Sequence, residues 1–304
     1  MKVLLTGATG FVGTHLTERL HAAGHEVLPV SRREGARYDW SSESLARGVS
    51  EADAVVHLAG ENLFAKRWSA KQKQVIWSSR YDATKKLAAF VAARKPACFV
   101  SASAVGYYGA HGDEKLDESS PHGQDFLADL CRDWESATED AAEAGVRTAV
   151  VRTGVVLGQG GGALAKMLPP FKLGVGGPLG NGKQWVSWIH VDDLASLFVF
   201  LIEHPKAAGA FNGTAPQPVT MKELASALGR ALHRPAVFAV PAPVLRIAVG
   251  EVADVLLTGQ RVEPRRAREL GFQFRFPDVD SALRDVVAKK PSSPQRPREA
   301  HAGA

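Results

Sequence analysis

Three glycines, Gly7, Gly10 and Gly13, stand in the run Thr6-Gly7-Ala8-Thr9-Gly10-Phe11-Val12-Gly13, between an apolar stretch from Lys2 to Leu5 and a helical pattern that opens near Phe11. That spacing suits a dinucleotide. A pyrophosphate needs a tight turn with no Cβ, close backbone N–H groups and a helix packed hard on its strand, with the positive end of the helix dipole facing the phosphates. Gly7, Gly10 and Gly13 can meet those three needs, and Phe11 and Val12 belong to the same binding segment. A plain strand-to-helix turn is the bland alternative, and the frame of three glycines at the head of a βαβ unit argues against it.

The end of the second strand-like run, Glu26-Val27-Leu28-Pro29-Val30, decides which dinucleotide is favoured. An NAD site commonly carries an acid there for the ribose hydroxyls, whereas this chain has Ser31-Arg32-Arg33. Guanidiniums bind phosphate through several donors, so Ser31, Arg32 and Arg33 favour the 2′-phosphate of NADP over NAD, with Glu34 as an opposing charge. Two solvated loop arginines are the alternative.

Around these residues, strand-like runs alternate with helical patterns: KVLLTG, FVGTHLTERLHAAG, HEVLPV, DAVVHLAG, SAKQKQVIWSSRYDATKKLAAFVAAR, ACFVSASAVG and RTAVVRTGVVLG. Alternation of this kind predicts an α/β Rossmann fold with a doubly wound parallel sheet, and the continuous apolar runs fit strands covered on both faces. After Gly158 the chain becomes rich in Gly and Pro, which predicts a loop-rich substrate region. We therefore expect an NADP-binding domain over 1–158, joined again by 185–215, a smaller C-terminal substrate domain from 159–184 and 216–288, and a disordered tail over 289–304.

Length and composition agree. The chain has 304 residues, 45% hydrophobic and 23% charged, ordinary for a globular protein. No apolar run approaches the roughly 20 residues of a membrane span, and Met1-Lys2-Val3-Leu4-Leu5 does not open a signal peptide, so the expected location is the cytoplasm. The net charge is +5, of which Lys289, Lys290, Arg296 and Arg298 against Glu299 contribute +3; a basic tail is not the ordered stripe of a nucleic-acid face. Cys98 and Cys131, the two cysteines, cannot form a four-ligand zinc site or a disulfide framework, and no metal is expected.

TGATGFVG, HLAG, SASAVGYYG, RTGVVLG and WIHVDD together resemble an extended short-chain dehydrogenase/reductase, the superfamily of nucleotide-sugar epimerases and dehydratases. HLAGENL, KRW, FLADLCRDWE, GNGKQWVSWIHVDDL and GEVADVLLTGQRVEPRRARELGFQFRFPD narrow the resemblance to the atypical subgroup known only as epimerase family proteins, from Met1 to about Val287. The resemblance implies that Leu58, Ala59 and Gly60 lie against the adenosine side with Asp39 near the adenine, that Arg80 reaches the cofactor, and that Val155 sits near the nicotinamide.

It also implies a catalytic Ser or Thr, Tyr and Lys, and here the chain departs. Ser103 falls where the Ser stands, but framing by Glu135 puts Leu127 in place of the Tyr and Cys131 in place of the Lys. A literal YxxxK, Tyr81 to Lys85, precedes the Ser-bearing strand and reads as an exposed helix pair. Ser103 and Tyr108 are the remaining candidate proton carriers, and a buried Tyr108 hydrogen-bonded for structure is the alternative. Lys183, Gln184, Trp185 and Trp188 offer stacking faces and polar tips for a substrate, or cover a domain interface. His190 reads as a structural histidine, with Asp192 as a helix N-cap. The expected function is an NADP(H)-dependent oxidoreductase or epimerase on a small polar or nucleotide-linked substrate, without membrane or nucleic-acid partners and compatible with a homodimer. The alternative is a cofactor-binding sensor without turnover.

Overall fold

The computed structural model describes residues 1–33 and 35–288; the opposing charge of Glu34 and the tail over 289–304 lie outside the described residues. The first half runs β1 (Lys2–Thr6), α1 (Phe11–Ala22), β2 (Glu26–Val30), α2 (Ser42–Glu51), β3 (Ala54–His57), α3 (Ala70–Ser78), α4 (Tyr81–Arg94) and β4 (Cys98–Ala104). A 3-10 turn (Val105–Tyr108) leads to β5 (Lys115–Leu116), α5 (Phe126–Ser136), α6 (Glu139–Glu143) and β6 (Arg147–Thr153). The second half adds β7 (Val155–Leu157), α7 (Gly162–Lys172), β8 (Trp185–Val186), β9 (Trp188–His190), α8 (Val191–Glu203), β10 (Gly209–Gly213) and β11 (Val219–Thr220). It ends in α9 (Met221–Leu232), α10 (Ala242–Val249), α11 (Val252–Leu257), β12 (Arg261–Val262), α12 (Arg265–Glu269) and α13 (Val279–Ala288).

Six strands form one parallel sheet in the order β10-β6-β4-β3-β1-β2. Beyond β2 a single parallel bridge, Val30 to Tyr38, stands where a further strand would lie. The chain moves outward from β1 to β2, then returns across it to β3, so the winding reverses between β1 and β3. In a doubly wound sheet that reversal opens a crevice at the carboxyl ends of the strands, here at Gly7 and Leu58.

Helices cover both faces of the sheet, which is why its central strands are largely apolar. Val3, Leu5, Val56, Val100 and Val151 pack under α1 and α8 with Leu16, Leu197 and Phe198, and on the other face Leu4, Val55 and Phe99 pack with Leu45, Leu87 and Val91 of α2 and α4. A second core joins α7, α9 and α13, with Leu164, Phe171, Leu224, Leu228, Leu283 and Trp188 at its centre. Helix α9 begins in a capping box, in which Thr220 Oγ1 accepts the Glu223 N–H while the Glu223 carboxylate accepts the Thr220 N–H.

Trp188 corrects an expectation. Its side chain has no exposed surface and its indole N–H donates to the Gln217 carbonyl at 2.9 Å, so it anchors the second core and offers no face to a ligand. Trp188→Ala is expected to lower the unfolding free energy by about 3–5 kcal/mol, read by urea denaturation; a loss under 1 kcal/mol would return Trp188 to the substrate site.

Candidate active site

The glycine turn is as tight as its spacing requires. Gly7 has φ +75°, in the left-handed region, and a Cβ there would fall 2.9 Å from the Leu58 carbonyl carbon. A Cβ on Gly13 would fall 2.0 Å from the Gly7 oxygen, so α1 lies directly on the turn. Gly10 occupies the N-cap with no side-chain cap, and the first turn of α1 carries no acid. The positive end of the helix therefore faces the crevice without a competing carboxylate of its own. The ring of Phe11 packs against Gly158 and against Gly161 and Gly162, two glycines of the segment read from the sequence as a substrate loop.

A buried hydrogen-bond set fixes β1 to β3 behind the turn. Thr6 Oγ1 accepts the Leu58 and Ala59 N–H groups at 3.2 Å each and lies 2.6 Å from His57 Nδ1. With its lone pairs used by amides, Thr6 gives its own proton to Nδ1, which leaves the ring proton on His57 Nε2. Burial, then the charge of Arg80, pushes the His57 pKa down to about 4, so the imidazole is neutral at working pH.

At the adenosine end, Arg32 and Arg33 are exposed and form no ion pair among the described residues, and the Arg33 N–H donates to Ser31 Oγ at 3.1 Å. The Asp39 carboxylate accepts the Ser41 N–H at 2.8 Å, and the hydrogen bonding of Ser41 holds its pKa below the usual range. Leu58 and Ala59 are half-buried and Gly60 is exposed. Arg80 is buried beside Gly60, donates to the Glu61 carbonyl at 2.9 Å and lies over the Trp134 ring at 5.1 Å. Val155, half-buried, is held by its N–H to the Ser187 carbonyl at 2.7 Å.

The end of the crevice that holds Ser103 departs most from expectation. Ser103, Arg152 and Asn212 stand in one register row across β4, β6 and β10. Arg152 donates from Nε and Nη2 to the Glu135 carboxylate at 2.9 and 2.8 Å, and from Nη1 to the Tyr108 hydroxyl at 3.0 Å. Ser103 donates to Glu135 at 2.7 Å, and Tyr108 donates to Asn212 Oδ1 at 2.7 Å. Burial opposes the Arg152 charge, but Glu135 outweighs it and raises the guanidinium above its ordinary range. Burial pushes Tyr108 up to about 12 against the pull of Arg152. Tyr108 thus has no exposed surface and a committed hydroxyl, which suits a structural tyrosine and not the proton carrier expected of it. Its neighbour Tyr107 is half-buried, lies 3.4 Å beneath the Arg152 guanidinium, and its hydroxyl has no partner among the described residues.

Helix α5 carries Leu127 and Cys131, the positions at which the resemblance places the Tyr and the Lys. Leu127 and Cys131 pack against Gly106, where a Cβ would fall 3.2 Å from Leu127 Cβ and 3.7 Å from Cys131 Sγ. Burial and then Glu135 push the Cys131 thiol up to about 12, so it is a packed neutral group. Tyr81 stacks on Trp77 at 4.4 Å and Lys85 pairs with Asp140 at 2.9 Å, which accounts for the literal YxxxK. His190 itself, rather than Asp192, is the N-cap of α8, its Nδ1 accepting the Asp192 N–H at 3.1 Å.

On the far side, Lys183 is exposed. Gln184 is tied to the Leu179 and Leu256 carbonyls at 3.0 and 2.8 Å, and the Trp185 indole N–H donates to Asp113 at 2.6 Å. Sequence reasoning passed over Arg152, Glu135 and Asn212. A lone arginine inside the apolar run Thr148-Ala149-Val150-Val151-Arg152 was the available signal, since a strand buried on both faces holds a charge only with a partner.

The chain belongs to the NAD dependent epimerase/dehydratase family, whose model matches residues 3–212; residues 240–286 match a domain of unknown function, DUF1731. Within that family it is 44% identical over 295 residues to the mouse epimerase family protein SDR39U1, covering 95% of this chain and 100% of the relative. It is 43% identical to the Arabidopsis thaliana SDR39U1 homolog, chloroplastic, over 94% of this chain and 87% of the relative. The crystal structure of human SDR39U1 (isoform 2) with NADPH superposes with a TM-score of 0.90 at 39% identity, over 94% of this chain and 99% of that one. No helix among the described residues is long and apolar enough to cross a membrane.

The depressed His57 pKa carries a sign. Between the ordinary histidine value near 6.5 and about 4, the unfolded chain binds a proton that the folded one refuses. His57 therefore makes the fold less stable as pH falls through that window, by roughly 1 kcal/mol between pH 7.5 and 5.5. Denaturant unfolding of wild type and His57→Asn at both pH values checks this: the stability gap between them should narrow by that amount, and a constant gap would contradict it.

Proposed function

We propose that this protein binds NADP(H) and acts as an oxidoreductase or epimerase on a small polar substrate. The glycine cradle carries the reading: a Cβ at Gly7 or Gly13 would collide with the backbone of Leu58 or of Gly7 and force open the tight turn a pyrophosphate needs, and the uncapped start of α1 faces it. Arg32 and Arg33, free of ion pairs among the described residues, favour NADP over NAD, and the human relative crystallised with NADPH supports the same choice. Leu58, Ala59 and Gly60 wall the adenosine side, and buried Arg80 brings a fixed positive charge beside Gly60.

NADPH, when bound, supplies a hydride; the remaining roles fall to the chain. Ser103 and Tyr108 give their protons to Glu135 and Asn212, so they position Arg152 rather than meet a carbonyl. Tyr107 has an uncommitted hydroxyl and a cation against its ring face, which makes it the better proton donor. A cofactor-binding sensor is the second reading, favoured by the packed Leu127 and Cys131.

Calorimetric titration tests the cofactor: Arg32→Ala should weaken NADPH binding at least tenfold, about 1.4 kcal/mol, and leave NADH nearly unchanged. Equal affinity of wild type for both cofactors would refute the preference. For chemistry, NADPH oxidation across a panel of ketones, quinones and nucleotide sugars should fall at least tenfold in Tyr107→Phe, by about 1.4 kcal/mol of barrier. No turnover on any of them, with tight NADPH binding, would favour the sensor.

A further inference from the structure

Arg261, on β12, has no use in the site described so far. Its guanidinium makes no ion pair and no hydrogen bond among the described residues, and its Nε is buried without a partner. The Trp185 ring lies beneath it at 4.4 Å. Both residues are half-buried, and three links hold them in place. The Trp185 indole N–H donates to Asp113 at 2.6 Å, the Ser187 hydroxyl donates to the Gln260 carbonyl at 2.6 Å and accepts the Val262 N–H at 2.8 Å, and the His111 N–H reaches the Gly259 carbonyl.

The pair also borders the catalytic end. Val262, next to Arg261, packs with Tyr108 and Leu116, with Tyr107 against them. Ser187, two residues from Trp185, holds the Val155 N–H through its carbonyl. Neighbouring charges are already paired: Lys115, opposite Arg261 on β5, is bound to Glu263 at 3.1 Å, and Arg265 to Asp117 at 2.8 Å. Among the described charges around Trp185, Arg261 is left without an acceptor. A half-buried guanidinium left without an acceptor asks for an anion from outside, and its planar fork matches a carboxylate. A phosphate dianion calls for more than one uncompensated charge, and Arg261 offers one.

We infer that Arg261 and Trp185 form a recognition site for a carboxylate, so that the substrate is a small carboxylic acid whose anionic end sits on Arg261 and whose reacting carbon lies toward Tyr107. This rests on the functional reading above in taking that side of the crevice as the substrate side. Calorimetric titration of NADPH-loaded protein with sodium benzoate, and separately with inorganic phosphate, tests it. Benzoate should bind more tightly than phosphate, Arg261→Gln should weaken benzoate at least tenfold, and Arg261→Lys should restore part of the loss. Arg265→Gln should leave benzoate binding unchanged, and NADPH affinity should be the same in every variant. Phosphate binding tighter than benzoate, absence of benzoate binding to wild type, or an unaltered Arg261→Gln would overturn the inference. If wild type takes up no NADPH, the functional reading fails, while benzoate titration of the same protein still decides the role of Arg261.

Discussion

The interior of this protein is organised around one buried positive charge. Arg152 enters the sheet on β6, surrounded by apolar strands, and a charge in such a place is tolerated only with full pairing. Glu135 supplies the counter-charge from α5, Ser103 completes that carboxylate from β4, and Tyr108 takes the remaining guanidinium nitrogen from the 3-10 turn. Through Tyr108 the set extends to Asn212 on β10, whose amide reaches the Glu263 carbonyl at 3.0 Å beyond β12. Three strands, a helix, a turn and the C-terminal segment are thus joined by groups that each depend on the others. Removing one member of a buried pair commonly costs about 3–5 kcal/mol, so the network holds this end of the crevice in a single arrangement.

The two ends of the crevice are built on different physics. At the cofactor end the determinant is the absence of side chains, because backbone must approach backbone at Gly7, Gly13 and Leu58. At the other end it is the disposal of hydroxyls. Burial and partners hold Tyr108 and Ser103 in fixed protonation and orientation, whereas Tyr107 remains uncommitted. The turn after β4 packs on α5 here, with Gly106 pressed on Leu127 and Cys131, and so fills the space above that helix.

The fold was legible in the sequence because its signals are local. Glycine spacing, apolar strands and the alternation of patterns each concern a few neighbouring residues, and the parallel sheet with its reversal at β1 follows from them. Reduction of one strand to the Val30–Tyr38 bridge was not legible, since Arg32 to Tyr38 lacks the apolar run that would have announced either outcome. At the Ser103 end of the crevice the residue types were legible but their arrangement was not. Ser103 and Tyr108 were chosen for their chemistry, yet what decides their use is where Glu135 and Asn212 lie, 32 and 104 residues away along the chain. Trp188 and Trp185, three residues apart, looked alike; β9 places one in the core and β8 leaves the other half-open.

Phe11 ties the cofactor turn to the chain that follows β7. A Cβ on Gly161 would fall 2.5 Å from Phe11 Cγ, and one on Gly158 would fall 2.9 Å from its Cζ, so no slack separates the ring from the backbone that leads into α7. The first residue of α1 and the approach to α7 are therefore in direct packing contact. Whatever seats itself on the start of α1 also sets the freedom of residues 158–162, which need make no contact with it. The seat of a ligand at the start of α1 and the course of the chain after β7 thus share one aromatic ring as a common wall.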